Sequence, residues 1–435
     1  MPAIKITGFQ GELPKLDPRH LPDTGAQVAQ DVRLDDGILT PVRAPKLAST
    51  LAASDYATIY NHAGTWLGWA TRVHAAPGPV ATDRLYYTGD GVPKMRVDPT
   101  VYDLAIPAPA NTLTAVVSGS GSGNSITRTY VFTYVTSFGE ESEPSPASAQ
   151  VTLQPGQTVT LSNFDTPPGG RVTLQRIYRT QTGNDGTGLY LIDERAVSAS
   201  NYVDTIAVDQ FSESLPSADY NAPPSDLKGL ISMSNGMMAA FKGKQLYFCE
   251  PYQPHAWPEK YVLTTVDTIV GLAYIGKLLV VLTDGRTELC YGSMPEAMQL
   301  DRLEAEFPCI NEASIVDMGF AVVYASHNGL VSIDGGGQHT LVTRDMFNRD
   351  EWQAIFPQNF VSSQHEGRYC AFYDYTVGTV IHRGMLLFDV GSPWLARSQI
   401  TATAAFYDRA AGSMTYQPKG KKEIYRYDDP DVLRQ

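Results

Sequence analysis

In the C-terminal half of the chain, short apolar runs come in pairs, each joined by a tight turn and followed by a polar loop. The form appears in "SMSNGMMAAFKGKQLYFCEP", "DTIVGLAYIGKLLVVLTDGRTELCYGS" and "SIVDMGFAVVYASHNGLVSIDGGGQHTLVT". It returns in "FVSSQHEGRYCAFYDYTVGTVIHRGMLLFDV" and "TATAAFYDRAAGSMTYQPKGKKEIYRYD". The units start near residues 232, 267, 314, 360 and 401, a spacing that brackets the length of a four-stranded propeller blade. One such sheet cannot bury both of its faces alone, whereas sheets stacked around an axis do so and leave only short edges. Upstream, "YATIYNHAGTWLGWATRV" and "DRLYYTGDGVPKMRV" place apolar runs around His62-Ala63-Gly64 and Gly89-Asp90-Gly91. Residues 57–100 are therefore expected to form one more blade, which makes about six.

Between these two sets the pattern changes. After the Gly/Ser stretch "GSGSGNS", Thr129, Val131, Thr133 and Val135 alternate with Tyr130, Phe132, Tyr134 and Thr136, and "RVTLQRIYRT" and "GLYLIDERAV" continue the alternation. About seven short strands in this region predict a β-sandwich of immunoglobulin or fibronectin-III kind. The Pro-rich "SADYNAPPSDLKG" reads as its closing linker. The expected fold is all-β: a β-propeller of about six blades interrupted by an inserted immunoglobulin/fibronectin-III-like β-sandwich. Its divisions are an extended N-terminal arm over 1–54, the first part of the propeller over 55–110, the sandwich over 111–217 and the remaining blades over 218–435. The arm is broken by prolines, with a short helix expected at Ala26–Asp31 and a turn at Asp36-Gly37. Such a segment has to lie against something else, in its own chain or in a neighbour.

Composition agrees with many strands and narrows the partners. The 435 residues include 37 Gly, 29 Pro and 24 Tyr, spread along the length. The formal net charge of −13 argues against a surface that grips nucleic acid, which needs clustered Lys and Arg, but not against one that DNA passes without sticking. Cys249, Cys290, Cys309 and Cys370 lack C-x-x-C spacing and read as thiols in a reducing compartment. The N-terminal stretch lacks the apolar core of a secretory signal. The longest apolar run, 269–282, is too short for a bilayer and carries Lys277. The expectation is a soluble chain, with no stable membrane insertion, folded in the cytoplasm.

Candidate chemistry is sparse. "KQLYFCEPYQPHAWPEKY", 244–261, gathers Cys249, Glu250, His255 and several aromatic rings. A strand running into Pro251, Pro254 and Pro258 makes a rigid corner, with the rings covering it. A catalytic Cys249–His255 pair would need an electropositive setting, and Glu250 stands beside the thiol. "SIDGGGQHT", 332–340, resembles the Asp-box turn of sialidase-type propellers without its closing Thr-Trp, and such boxes are structural turns. "GSGSGNS" lacks the Lys-Ser/Thr of a phosphate loop. "DVRLDDG", 31–37, lacks the ligand spacing of a calcium loop. The eight histidines form no local pair for zinc. No catalytic, cofactor-binding or metal-binding residue is assigned, and the chain is not expected to be an enzyme.

Two segments carry a resemblance. Leu21-Pro22, Ala26 to Ala29, Gly37-Ile38-Leu39 and Arg43-Ala44-Pro45 resemble the opening of tail nozzle proteins of short-tailed bacteriophages. These are also called tail tubular protein B, with packaged-DNA stabilization proteins as relatives. "FCEPYQPHAWP", 248–258, is similar to a Ser/Cys-[DE]-P-x-x-P-x-x-W-P corner of the same proteins. The match is sharp over about fifty residues, and neither motif is catalytic. The resemblance implies a structural virion protein, assembled in the host cytoplasm as a homo-oligomer, commonly a hexameric ring. That ring would sit below the head–tail adaptor, contact tail fibre or tail tip proteins, and leave a channel for genomic DNA without binding it specifically. Within it, the arm suits contact with a neighbour or the adaptor, and the sandwich suits lateral contacts or fibre attachment. A propeller-based receptor- or carbohydrate-binding tail protein is the alternative.

Overall fold

The computed structural model describes residues 8–34, 37–167, 169–183, 186–207, 210 and 212–432. Its strands follow one another as antiparallel meanders because the turns between apolar runs reverse the chain. At Ala63-Gly64, for example, φ is positive at both positions, 49° and 89°, as a two-residue hairpin turn requires.

Six four-stranded units result. Blade 1 is His74–Pro77, Arg84–Thr88, Lys94–Val97 and Thr100–Asp103. Blade 2 is Lys228–Ser232, Met238–Lys242, Gln245–Phe248 and Leu263–Thr264. Blade 3 is Ile269–Ile275, Leu278–Thr283, Glu288–Tyr291 and Gln299–Arg302. Blade 4 is Val316–Asp317, Ala321–Ser326, Gly329–Asp334 and His339–Leu341. Blade 5 is Val361–His365, Arg368–Val377, Val380–Asp389 and Leu395–Ser398. Blade 6 takes three strands from the C-terminus, Ala404–Asp408, Ser413–Gln417 and Glu423–Arg426, and its outer strand, Lys46–Thr50, from the N-terminus.

The first strands of blades 1 to 6 contact one another in order, so they line a common axis. Apolar clusters fill the spaces between neighbouring blades. Met95 and Trp257 sit between blades 1 and 2, Phe248 and Val281 between 2 and 3, Val280 and Tyr324 between 3 and 4, Val323 and Phe388 between 4 and 5, and Phe372 and Tyr416 between 5 and 6. This is a β-propeller, with each sheet's second face buried by its neighbour. The expected single blade over 57–100 is corrected. Thr58–His62 and Thr65–Trp69 form their own two-stranded sheet, and blade 1 starts afresh at His74. The hairpin fills the seam of the ring: Ile59 packs with Ala404 of blade 6, and on the other side the Val73 N–H donates to Thr58 Oγ1.

Because each blade is a meander, its first and third turns lie at one end of the ring, here the first end. Its second turn and the link to the next blade lie at the other, the second end.

The arm runs over its own propeller. Glu12 pairs with Leu395 of blade 5, and Gly25–Ala26 runs parallel to Gly11–Glu12. The helix expected at Ala26–Asp31 is absent: Gln30 bridges Arg397, and Asp31 has φ 53°. The buried Glu12 carboxylate, which takes the Ala29 N–H at 2.8 Å and Arg397 Nε at 2.7 Å, holds the segment extended and overrides its helical propensity. The turn expected at Asp36-Gly37 involves a position outside the described residues.

The insertion forms a sandwich. Thr114–Ser118, Thr158–Ser162 and Tyr202–Asp204 make one sheet, and Tyr130–Thr136, Val172–Gly183 and Gly186–Ala196 the other. They share a core of Tyr130, Phe132, Tyr134, Val159, Leu161 and Ile177. Asp204, buried beside it, accepts from Arg179 Nη1, Arg128 Nη1 and Tyr130 Oη, so this buried carboxylate is compensated from several sides.

Candidate functional site

The proline-rich corner between the third and fourth strands of blade 2 joins the two domains. The buried Cys249 Sγ accepts the Met238 N–H at 3.0 Å, and burial pushes its thiol up to about 12. The His255 Nε2–H donates to the Glu141 carbonyl of the sandwich at 2.9 Å, and burial pushes the imidazole down to about 4, so it is neutral. Trp257 Nε1 donates to the Pro254 carbonyl, and its backbone N–H donates to the Asn221 carbonyl. Cys249 thus serves the core of blade 2, while His255 serves the interdomain contact.

Around that contact Glu141 is a hub: Oε1 accepts from Thr133 and Tyr178 hydroxyls, and Oε2 from Arg176 Nη1. Arg171 of the sandwich reaches blade 1, donating to the Asp103 and Leu104 carbonyls at 2.8 Å each and pairing with Glu140 at 3.1 Å. Arg84 of blade 1 lies over the Phe138 ring, 4.8 Å from its centroid. A cleft of about 640 Å³ runs along the junction beside Tyr102, Ile106 and Arg171.

The Asp-box-like stretch is a turn. Asp334 Oδ1 accepts the N–H groups of Gly336 and Gln338, closing the loop to Thr340. Near the axis at the second end, His74 Nε2 meets Glu312 Oε1 at 2.7 Å. Burial raises the Glu312 carboxyl, but the His74 hydrogen bond and the charges of His74, Arg72 and Lys228 hold it below the usual range. The second turn of blade 5, the tip of its long hairpin, lies at the same end. That hairpin exposes Val377, Val380 and Ile381 at its tip and stacks Phe356, Tyr375 and His382 along one side. Lys419 and Arg383 pair with Asp374 at its base.

At the first end the fold gathers a group that the sequence did not single out. His365 and Glu366 occupy the first turn of blade 5, and Asp428 follows the third strand of blade 6. Their donor atoms lie within 4.8 Å of one another. Arg33 of the arm bridges the Glu366 and Asp428 carboxylates. Adjacent His-Glu is the only local trace of this cluster; the pairing with Asp428 exists only once blades 5 and 6 stand side by side.

No helix among the described residues is long and apolar enough to cross a membrane. No family model and no curated protein matches the chain. Among solved structures, it is similar to PorZ of Porphyromonas gingivalis at 12% identity and TM-score 0.26, covering 85% of this chain and 42% of that one. Raptor from Chaetomium thermophilum is similar at 10% identity and TM-score 0.35, over 90% of this chain and 29% of that one. YCF48 from Cyanidioschyzon merolae gives 8% identity and TM-score 0.26, over 89% of this chain and 100% of that one. The chain thus spans less than half the length of PorZ and of Raptor. At such identities the likeness is one of fold, and the propeller itself is read from this chain's own strand order.

Proposed function

We propose that the chain is a structural protein of a short-tailed bacteriophage tail, a nozzle subunit that forms a ring below the head–tail adaptor and conducts the genome. The observation that carries this reading is where the two resembling segments lie. Residues 21–34 and 37–45 strap the arm across blades 5 and 6, and residues 248–258 tie blade 2 to the sandwich through His255 and to the linker before blade 2 through Trp257. Both segments fix domain geometry, as expected of a protein that works by shape. The net charge of −13 suits a conduit wall that repels phosphates. Electron microscopy of the purified protein and of particles containing it tests the proposal. A sixfold ring with an axial hole in the genome's exit path is expected; particles placing the chain away from that path overturn it.

A second reading is a receptor- or carbohydrate-binding tail protein, favoured by the aromatic stack and exposed tip of the blade 5 hairpin. Selective retention on a glycan array, lost in Tyr375→Ala, would support it over the first.

A further inference from the structure

We propose that His365, Glu366 and Asp428 form a divalent-cation site of zinc type, and that the Arg33 guanidinium fills its place while the arm is docked. The donor set is one imidazole and two carboxylates, a combination that suits zinc-like ions. Two ligands about 2.05 Å from a tetrahedral zinc stand roughly 3.3 Å apart. His365 Nε2 lies 3.5 Å from Asp428 Oδ2 and 3.9 Å from Glu366 Oε2, close to the edges of such a tetrahedron. The fourth position falls to water.

An independent observation points to a ligand. His365 is 6% exposed, yet neither ring nitrogen has a well-formed hydrogen bond. Buried imidazoles ordinarily satisfy at least one nitrogen, and the Nε2 edge of this one looks onto the two carboxylates. Asp428 is oriented for the same purpose: the Arg43 N–H occupies Oδ1 at 2.8 Å, leaving Oδ2 toward His365 and Arg33. Glu366 keeps its side chain 41% exposed and gives the site an opening to solvent.

Arg33 supplies the charge that a metal would supply. Without it two carboxylates would face each other with no cation between them, a costly arrangement at a half-buried site. Metal and guanidinium cannot share the position, so binding of one releases the other. Zinc would therefore loosen the arm from blades 5 and 6.

The test is titration of Zn²⁺ against a chromogenic chelator with the full chain, its Arg33→Met variant and the double variant Arg33→Met/His365→Ala. The single variant is expected to bind one zinc at least tenfold more tightly than the parent chain, and the double variant to lose that gain. No gain on removing Arg33, or a gain that survives loss of His365, overturns the proposal. Should the Arg33 variant fail to fold, trypsin cleavage at Lys15 and Arg19 of the parent chain replaces that comparison. Saturating Zn²⁺ should accelerate it at least threefold in the parent and not in His365→Ala, and an unchanged rate overturns the proposal.

Discussion

His255 shows how one side chain couples the joint between domains to pH. Its imidazole is pushed from the ordinary 6.5 down to about 4, so between those values the unfolded chain binds a proton that the folded chain refuses. Stability is therefore full above pH 6.5 and falls as the pH drops toward 4. At pH 5 this group alone accounts for a loss of about 2 kcal/mol. Other groups titrate over the same range, so the comparison must be with a variant. His255→Asn should be less stable than the parent at pH 7.5 and should lose less between pH 7.5 and pH 5, measured by denaturant unfolding. Equal pH dependence in both would mean that the imidazole is not buried neutral against Glu141. The sequence suggested a corner here, since Pro251, Pro254 and Pro258 forbid a continuing strand. It held no sign that the corner's partner is the Glu141 carbonyl, because that contact spans 114 positions.

Among the elements, the edge of the sandwich has an unusual cover. Ser142, Ser145 and Ser148 each donate a backbone N–H to the carbonyl of Tyr134, Phe132 and Tyr130, respectively. The three hydroxyl oxygens accept the N–H groups of the same strand residues at 2.9 to 3.1 Å. The hydroxyls accept where a pairing strand would offer carbonyls, so side chains complete the ladder and close an edge open to intermolecular pairing. Replacing all three serines with Ala would strand three buried N–H groups. It should cost roughly 3 kcal/mol or more, read as a lower denaturation midpoint, while Ser118→Ala at the exposed face should be near neutral. Blade starts were legible along the chain: units expected near 232, 267, 314, 360 and 401 begin at Lys228, Ile269, Val316, Val361 and Ala404. Alternation and glycine turns are local signals. The serine cover was not legible, because its three-residue spacing matches no strand period. The seam hairpin at 58–69 was hidden as well, since nothing local separates two hairpins of one blade from two sheets.

At the scale of the whole molecule, ring closure depends on which part of the N-terminus is kept. Lys46–Thr50 is the outer strand of blade 6, paired with Glu423–Arg426, and Leu51 and Ile424 join the cluster that seals the seam. The residues before it strap the outside: Glu12 to Arg397, Asp31 to Ser398, Arg33 to Glu366 and Asp428. Nothing in "KLAST" distinguishes a blade strand from more arm, and the same remoteness hid the Asp428 cluster, where the Arg43 N–H and Asp428 Oδ1 meet across 385 positions. Two truncations separate the roles. Deleting 1–45 leaves all six blades four-stranded and uncovers blade 5's outer edge, so the product should fold with a lower melting temperature. Deleting 1–51 removes an outer strand and Leu51, opening the seam; that product should unfold several degrees lower still or aggregate. Equal stability of the two would contradict closure by the N-terminal strand. If the nozzle reading holds, the 1–45 deletion also separates folding from assembly: a monodisperse propeller that fails to join tails is the expected outcome. Tails forming normally with it would remove the strap from the assembly interface while leaving the closure strand in place.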